Sequence, residues 1–288
     1  MSEKPEKPEK PLYLVACSQR VLSAVFVGAF NSMGLRLPRF PECDLQLSPG
    51  SPSYDQGYLP PGPQELVTRA RLIFFPYWQE KVGGGTGWFT EALDQGRCVG
   101  FHPTDLPYGR GGSPVQNLIL RGRQETVLTM YQMTEEMDAG PVYRKGPLSL
   151  EGSALDIYTR IAQQAGGMAA WLAWMQHEDD RLPPAESQGP LRAGDGNDVF
   201  HRRRPDQSVL HFTVDGRFAL GGQYEAASAS KLYDYIRMLD APWLEPASLS
   251  WPGVRVRLSQ AELKDGQVKA TAVFDFRAEA QLEGGKSG

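Results

Sequence analysis

Cysteine is scarce in this 288-residue chain: Cys17, Cys43 and Cys98 lie far apart, odd in number and without Cys-x-x-Cys spacing. That pattern suggests neither a disulfide framework nor a zinc site; no metal is expected, and a reducing cytoplasm fits. Positive charge is not in excess either. A formal charge of −4 leaves no overall footprint for nucleic acid, so no nucleic-acid partner is expected, and residues 201–204 are the basic patch that remains. Long apolar runs are missing too. Ser18, Gln19 and Arg20 interrupt the stretch 12–30 before it reaches signal or membrane length, so it reads as a strand followed by a helix, with no membrane partner. No internal repeat is found. The glycine-rich stretches lack the Lys-Ser/Thr of a P-loop and the spacing of a dinucleotide fingerprint, so residues 83–87 read as a connection and not a phosphate cradle.

What is present is material for a core. Hydrophobic residues make up 41% of the chain, enough for one large domain and a smaller one. Residues 1–10 alternate Lys, Glu and Pro and read as a loose tail, as does the Gly/Ser-rich end 279–288. Residues 12–16 read as a buried strand. Ser18 is the expected N-cap of a helix carrying Leu22, Val25, Phe26, Ala29 and Met33 on one stripe, with Gly34 ending it. Residues 35–63, crowded with Pro, Gly, Ser and Asp, read as irregular. Further strands are expected at 71–75, 98–101 and 126–133, and Pro114 opens a helix ending near Gly122. Ser153 and Asp156 resemble a capping box before Ile157, Ile161, Ala165, Met168, Leu172 and Met175, which keep helical spacing. Alternating strands and helices predict an α/β fold, a mainly parallel sheet with helices on both faces, over residues 11–190.

The pattern changes after about residue 190. Runs 209–214 and 218–220 flank Asp215-Gly216, and runs 254–258 and 268–276 flank Asp265-Gly266; both are hairpin signals. Between them, 230–239 reads as one short helix stopped before Pro242. Residues 191–278 therefore read as a small, mostly antiparallel β subdomain at the C-terminus.

The chemistry-bearing segment is Phe101-His102-Pro103-Thr104-Asp105-Leu106-Pro107-Tyr108-Gly109-Arg110-Gly111-Gly112-Ser113-Pro114, followed by Thr126 and then Met137-Asp138-Ala139-Gly140. A histidine just after a buried strand sits at the carboxyl end of the sheet, where such folds place ligands. On the residues alone, a ligand-facing histidine and one that merely caps a turn are equally good readings.

Residues 102–114, with Asp138 thirty-six positions after His102, resemble the formyltransferase family that includes methionyl-tRNA, glycinamide ribonucleotide and nucleotide-sugar formyltransferases. The usual core of that family is Asn-x-His, then Ser-Leu-Leu-Pro-x-x-Arg-Gly, then Asp-x-Gly. The match is good over about residues 70–165 and looser through Arg203-Arg204-Pro205-Asp206 and Tyr235-Ile236-Arg237. The resemblance implies a Rossmann-like domain that holds 10-formyltetrahydrofolate and passes its formyl group to a primary amine, through an oxyanion that collapses as tetrahydrofolate leaves. Carried over, His102 donates to the oxyanion, and Asp138 orients the ring and accepts a proton from the amine. The cofactor-binding candidates are Phe75, Pro76, Trp78, Met133, Thr134, Glu136 and Asp138, with the pterin between 74–78 and 133–138. Pro76 and Trp78 read as lying past the strand end, Phe74 as strand core. Arg110, Gly111, Gly112, Arg203 and Arg204 are the substrate-binding candidates, arginines matching a diphosphate or carboxylate. For any single arginine a solvated charged turn is an equal alternative.

One position departs from the family: its Asn, two residues before the histidine, is Gly100 here. Loss of one oxyanion donor costs about 10²- to 10³-fold in turnover. Thr104, Gln116 and Asn117 are the nearest replacements in sequence, and Gly100→Asn is expected to fold and to raise activity if there is space beside Phe101. His102 and Asp138 are expected in a solvent-reachable cleft. The favoured acceptor is a small-molecule amine on a nucleotide-linked sugar, with an amino-acid-derived amine such as hydroxyornithine or methionyl-tRNA as minor alternatives and a homodimer as an open option. A formyltetrahydrofolate hydrolase and a non-catalytic folate or sugar binder remain as other classes.

Overall fold

The computed structural model describes residues 10–47, 63–78, 89–189, 199–213, 217–220, 223–226 and 228–276. Residues 1–9 of the tail expected at 1–10, the tail expected at 279–288, the 83–87 glycine run and the Asp215-Gly216 turn lie outside these residues. The chain folds as two units. The first draws on Met1–Arg110, Thr126–Leu148 and Tyr158–Val199, the second on Gly111–Glu125, Ser149–Ile157 and Phe200–Gly288.

Six consecutive residues without a charge, Leu12–Cys17, form β1, and every one is buried. Such a strand needs neighbours on both edges and cover on both faces. It follows into α1 (Arg20–Gly34), and β2 (Asp44–Leu47) and β3 (Leu72–Tyr77) flank it in parallel, with α2 (Pro63–Arg69) between them in the chain. After α3 (Thr90–Asp94), β4 (Cys98–His102) pairs in parallel with β3. Then come the two-residue β5 (Arg110–Gly111), α4 (Pro114–Leu120), β6 (Glu125–Gln132) and β7 (Val142–Ser149). β6 runs antiparallel to β4, and the sheet order is β2-β1-β3-β4-β6-β7. The sheet is mainly parallel, and its order reverses at β1, the kind of switch point beside which α/β folds bind ligands.

Helices cover both faces. Phe74 packs its ring 6.0 Å from Phe26 and 6.2 Å from Phe30 of α1. The next residue, Phe75, joins a cluster with Val67, Ala70, Ala92 and Leu93 from the α2 and α3 region; successive strand residues point to opposite faces. α5 (Ala154–Asp179) approaches α1 so closely that a Cβ on Gly166 would lie 2.3 Å from the Phe26 carbonyl oxygen. The Ser153–Asp156 capping box before α5 is reciprocal: each backbone N–H donates to the other's side chain, at 2.9 and 3.2 Å.

Three expectations need correction. Ser18 is not the cap of α1: Gln19 holds that position without a side-chain bond, while Ser18 Oγ donates to the Tyr77 carbonyl at 3.2 Å. Residues 35–63 are not wholly irregular, since they contain β2 and the first residue of α2. Pro76 is not beyond the strand. It is buried inside β3, where the β1 register slips between Val15↔Phe74 and Cys17↔Tyr77, and a bulge is where a residue without N–H fits a sheet.

The second unit contains α4 and the antiparallel strands β9 (His211–Phe212), β10 (Arg217–Leu220) and β11 (Gln223–Ala226), after the two-residue β8 (Val199–Phe200). Ser228 caps α6 (Ala229–Arg237) by accepting from the Lys231 N–H at 3.2 Å. The expected hairpin about Asp265-Gly266 joins β13 (Val254–Lys264) to β14 (Gln267–Phe276), and β12 (Ala247–Trp251) adds a third antiparallel strand. Arg237 is buried and ties this unit together: it donates to the carbonyls of Leu150 (2.6 Å) and Gly152 (3.0 Å) and pairs with Asp234.

Candidate active site

His102 is the last residue of β4, so the strand end aims its ring at the rim of the sheet. Its Nε2 lies 2.8 Å from the Gly109 carbonyl oxygen. A carbonyl only accepts, so Nε2 carries the hydrogen. Nδ1 lies 3.5 Å from Asp138 Oδ2, within ion-pair range. The two groups that sequence placed thirty-six residues apart therefore meet, but not in an open cleft. The side chains of His102 and Asp138 are 7% and 13% exposed, because the 102–109 loop folds over the ring and Tyr131 covers the carboxylate.

Asp138 is held from several directions. Its backbone has φ +54°, a left-handed conformation uncommon for a residue with a side chain. Gln188 Nε2 donates to the carbonyls of Asp138 (2.8 Å) and Gly140 (2.7 Å), and its Oε1 accepts from Arg110 Nε (3.1 Å) and Nη2 (2.8 Å). Arg110 also reaches Glu136 Oε1 at 3.2 Å. Gly140 has no room for a side chain, since a Cβ would fall 1.7 Å from the Gln132 carbonyl oxygen. On the carboxylate itself, Oδ1 accepts from the Tyr131 hydroxyl at 2.7 Å. Burial first, then the charge and hydrogen bond of Asp138, hold the Tyr131 phenol well above its ordinary range, so it stays a donor.

The register of β4 and β6 sets Gly100 opposite Tyr131 and His102 opposite Thr129. A Cβ on Gly100 would meet Tyr131 Cζ at 2.6 Å and both Cε1 and Oη at 2.7 Å. The space on which the Gly100→Asn expectation depended is not empty but filled by a phenol. Two of the three replacements proposed from sequence are otherwise engaged. Gln116 donates to the Met238 carbonyl and Asn117 to those of Gly112, Ser113 and His201, all within the second unit. Thr104 is fully buried; its carbonyl accepts from Thr129 Oγ1 at 2.6 Å and its own hydroxyl has no partner. Sequence reasoning missed Tyr131, Gln188 and Phe89. A glycine inside a buried strand was the available signal for the first, since it marks a close approach and is often covered by an aromatic on the next strand.

Of the cofactor candidates, Phe75, Trp78 and Met133 come together on one apolar cluster. Phe75 and Trp78 lie edge to face at 5.4 Å, and Phe89 completes the group at 5.1 and 5.9 Å. Trp78 Nε1 is buried without a hydrogen-bond partner, a donor awaiting an acceptor. Thr134 and Glu136 are exposed, the former bonding the carbonyl of the latter at 3.1 Å. Among the substrate candidates, Gly111 and Gly112 lie in the second unit against backbone: a Cβ would meet the Phe200 carbonyl oxygen at 2.3 Å or Arg202 Cα at 2.6 Å. Arg203 donates to the Gln207 carbonyl (2.6 Å) and lies 5.7 Å above the Tyr235 ring, while burial lowers its pKa. Arg204 is exposed and paired twice to Asp206, at 3.1 and 3.0 Å.

Residues 223–275 match the family model described as the C-terminal domain of methionyl-tRNA formyltransferase. The methionyl-tRNA formyltransferase of Hahella chejuensis is 33% identical over 96 residues, 33% of this chain and 30% of that protein. The chain is similar to formyltransferases over these parts of its length. It spans about a third of the length of the first such relatives it matches. Among solved structures, the chain superposes on methionyl-tRNA formyltransferase from Clostridium thermocellum with a TM-score of 0.66 at 24% identity, covering 93% of this chain and all of that one. HypX from Aquifex aeolicus, in complex with tetrahydrofolic acid, gives 0.60 at 15% identity over 89% and 40% of the two chains. A sugar N-formyltransferase from Shewanella sp. FDAARGOS_354 gives 0.55 at 16%, over 88% and 99%. Identities this low show a shared fold. Among the described residues, no cluster of His, Cys, Asp and Glu could hold a metal ion, and no helix is long and apolar enough to cross a membrane.

Proposed function

We propose that the chain transfers the formyl group of 10-formyltetrahydrofolate to a primary amine. The observation that carries this is the meeting of His102 Nδ1 and Asp138 Oδ2 at 3.5 Å, at the rim of a switched α/β sheet. Phe75, Trp78, Phe89 and Met133 fit a flat heteroaromatic ligand, and the unsatisfied Trp78 indole N–H fits an acceptor on it. The folate supplies an activated one-carbon unit when bound. Asp138 accepts the proton that the amine releases, and Tyr131 keeps the carboxylate in place. His102 reaches a developing oxygen through Nε2 only if the Gly109 carbonyl yields that hydrogen bond.

For the acceptor we favour a small amine, on a nucleotide-linked sugar. A tRNA acceptor demands uncompensated positive charge. Residues 200–276 carry ten Lys and Arg against nine Asp and Glu, and Arg204, Arg237, Arg255 and Arg257 are spent in ion pairs. Methionyl-tRNA is the competing acceptor, supported by the profile match over 223–275. A non-catalytic folate binder has one observation in its favour, the phenol filling the side-chain space at Gly100.

Absorbance of 10-formyltetrahydrofolate, followed with a panel of amino sugars, hydroxyornithine and methionyl-tRNA, tests the proposal. Turnover that depends on an amine is the expected result. Formate release without amine assigns a hydrolase, and folate binding without turnover assigns the binder.

A further inference from the structure

Gly100 and Tyr131 form one unit in this fold. They face each other across the antiparallel pairing of β4 and β6, and the Tyr131 hydroxyl lies 2.7 Å from where a Cβ on residue 100 would be. A side chain at 100 and the phenol at 131 are therefore alternatives for one volume. The phenol is not idle filler. Its hydroxyl donates to Asp138 Oδ1 at 2.7 Å, while Asp138 Oδ2 faces His102 Nδ1. Together with the Gly109 carbonyl on Nε2, this fixes the acid and the imidazole from both ends.

We infer that Tyr131 is a positioning residue of the reaction: reaching from the strand next to β4 into the space left by Gly100, it orients the Asp138 carboxylate toward His102. This rests on the formyl-transfer reading above. The replacement for the missing side chain at 100 then comes from the strand paired with it, not from a residue near it in sequence. The persistent protonation of the buried phenol agrees with this role.

Tyr131→Phe keeps the ring and removes the hydroxyl. In the full chain, kcat for amine-dependent transfer is expected to fall about 10- to 10²-fold, the scale of one hydrogen bond to a charged group. KM for 10-formyltetrahydrofolate is expected to stay within about twofold, since the ring remains and binding is not what the hydroxyl serves. An unchanged kcat would overturn the inference while leaving formyl transfer standing. The paired variant Gly100→Asn with Tyr131→Ala gives the opposite control. If it transfers formyl where wild type does not, the phenol is a plug and the inference fails. If neither transfers, the proposed function fails, and proton NMR still judges Tyr131. An exchange-protected hydroxyl proton, lost in Tyr131→Phe and moved upfield in Asp138→Asn, supports the link; its absence from wild type overturns it.

Discussion

Gly100→Asn puts the steric argument at risk most directly. The new Cβ would approach the Tyr131 ring to 2.6 Å, about 1 Å inside normal carbon contact. The phenol cannot tilt away freely, because its hydroxyl is bonded to Asp138 and its ring is buried. Two costs follow. Overpacking costs about 1–3 kcal/mol, and giving up a hydrogen bond to a carboxylate about 1.5–3 kcal/mol. The two overlap, since moving the ring relieves the first by incurring the second, so about 2–5 kcal/mol is expected in all. At about 2–3 °C per kcal/mol for a unit of this size, Tm falls by about 4–15 °C. Differential scanning calorimetry of the full chain, set beside Gly100→Ala, measures it. Gly100→Ala is expected to lose a large part of the same stability, because the clash begins at Cβ. An Asn variant as stable as wild type would show that Tyr131 vacates the position at no cost, and the coupling drawn between them would be wrong.

Other perturbations have defined outcomes. His102→Ala and Asp138→Ala are each expected to lower kcat about 10²- to 10⁴-fold in the folate absorbance assay, and near-full activity in either would remove its assigned role. Gln188→Ala leaves the Asp138 and Gly140 carbonyls and the Arg110 guanidinium without their shared partner; hydrogen exchange over 133–140 should speed up, and unchanged protection would show that the loop holds itself. Arg237→Ala deprives the Leu150 and Gly152 carbonyls of their donor and leaves Asp234 unpaired, a loss of about 3–5 kcal/mol readable in urea unfolding. Burial pushes the Cys98 thiol up to about 12 and that of Cys43 up to about 11. Raised thiol pKa values favour the folded state below the unfolded value and lose that effect as pH climbs through the folded ones, so stability should decline between about pH 9 and 12. At pH 8 both thiols are protonated, and iodoacetamide labelling of native chain should be far slower than of unfolded chain.

The parts of the fold legible in the sequence were those where burial leaves one reading. β1, β3 and β4 are apolar runs with little to interrupt them, and the strand at 126–133 coincides closely with β6. Features set by distant partners were not legible. Ser18 looks like a cap, but its hydroxyl donates to Tyr77, fifty-nine residues away. β2 is four residues long in a region rich in turn-formers, and α3 is only five residues long, too short for periodicity to show. At the site, His102 and Asp138 were readable through motif spacing. Tyr131 was not, because its role depends on the register between β4 and β6, and Gln188 acts from beyond α5 with no local pattern to mark it.

The left-handed backbone at Asp138 limits which residues an experimenter can recover there. At φ +54°, short polar chains are comfortable, whereas β-branched and bulky ones are strained. A saturation library screened only for soluble protein would therefore already be enriched in Asp, Asn and Gly at this codon. Tolerance data at position 138 mix conformational demand with chemical demand, and Asn, which satisfies the first and fails the second, is the substitution that separates them.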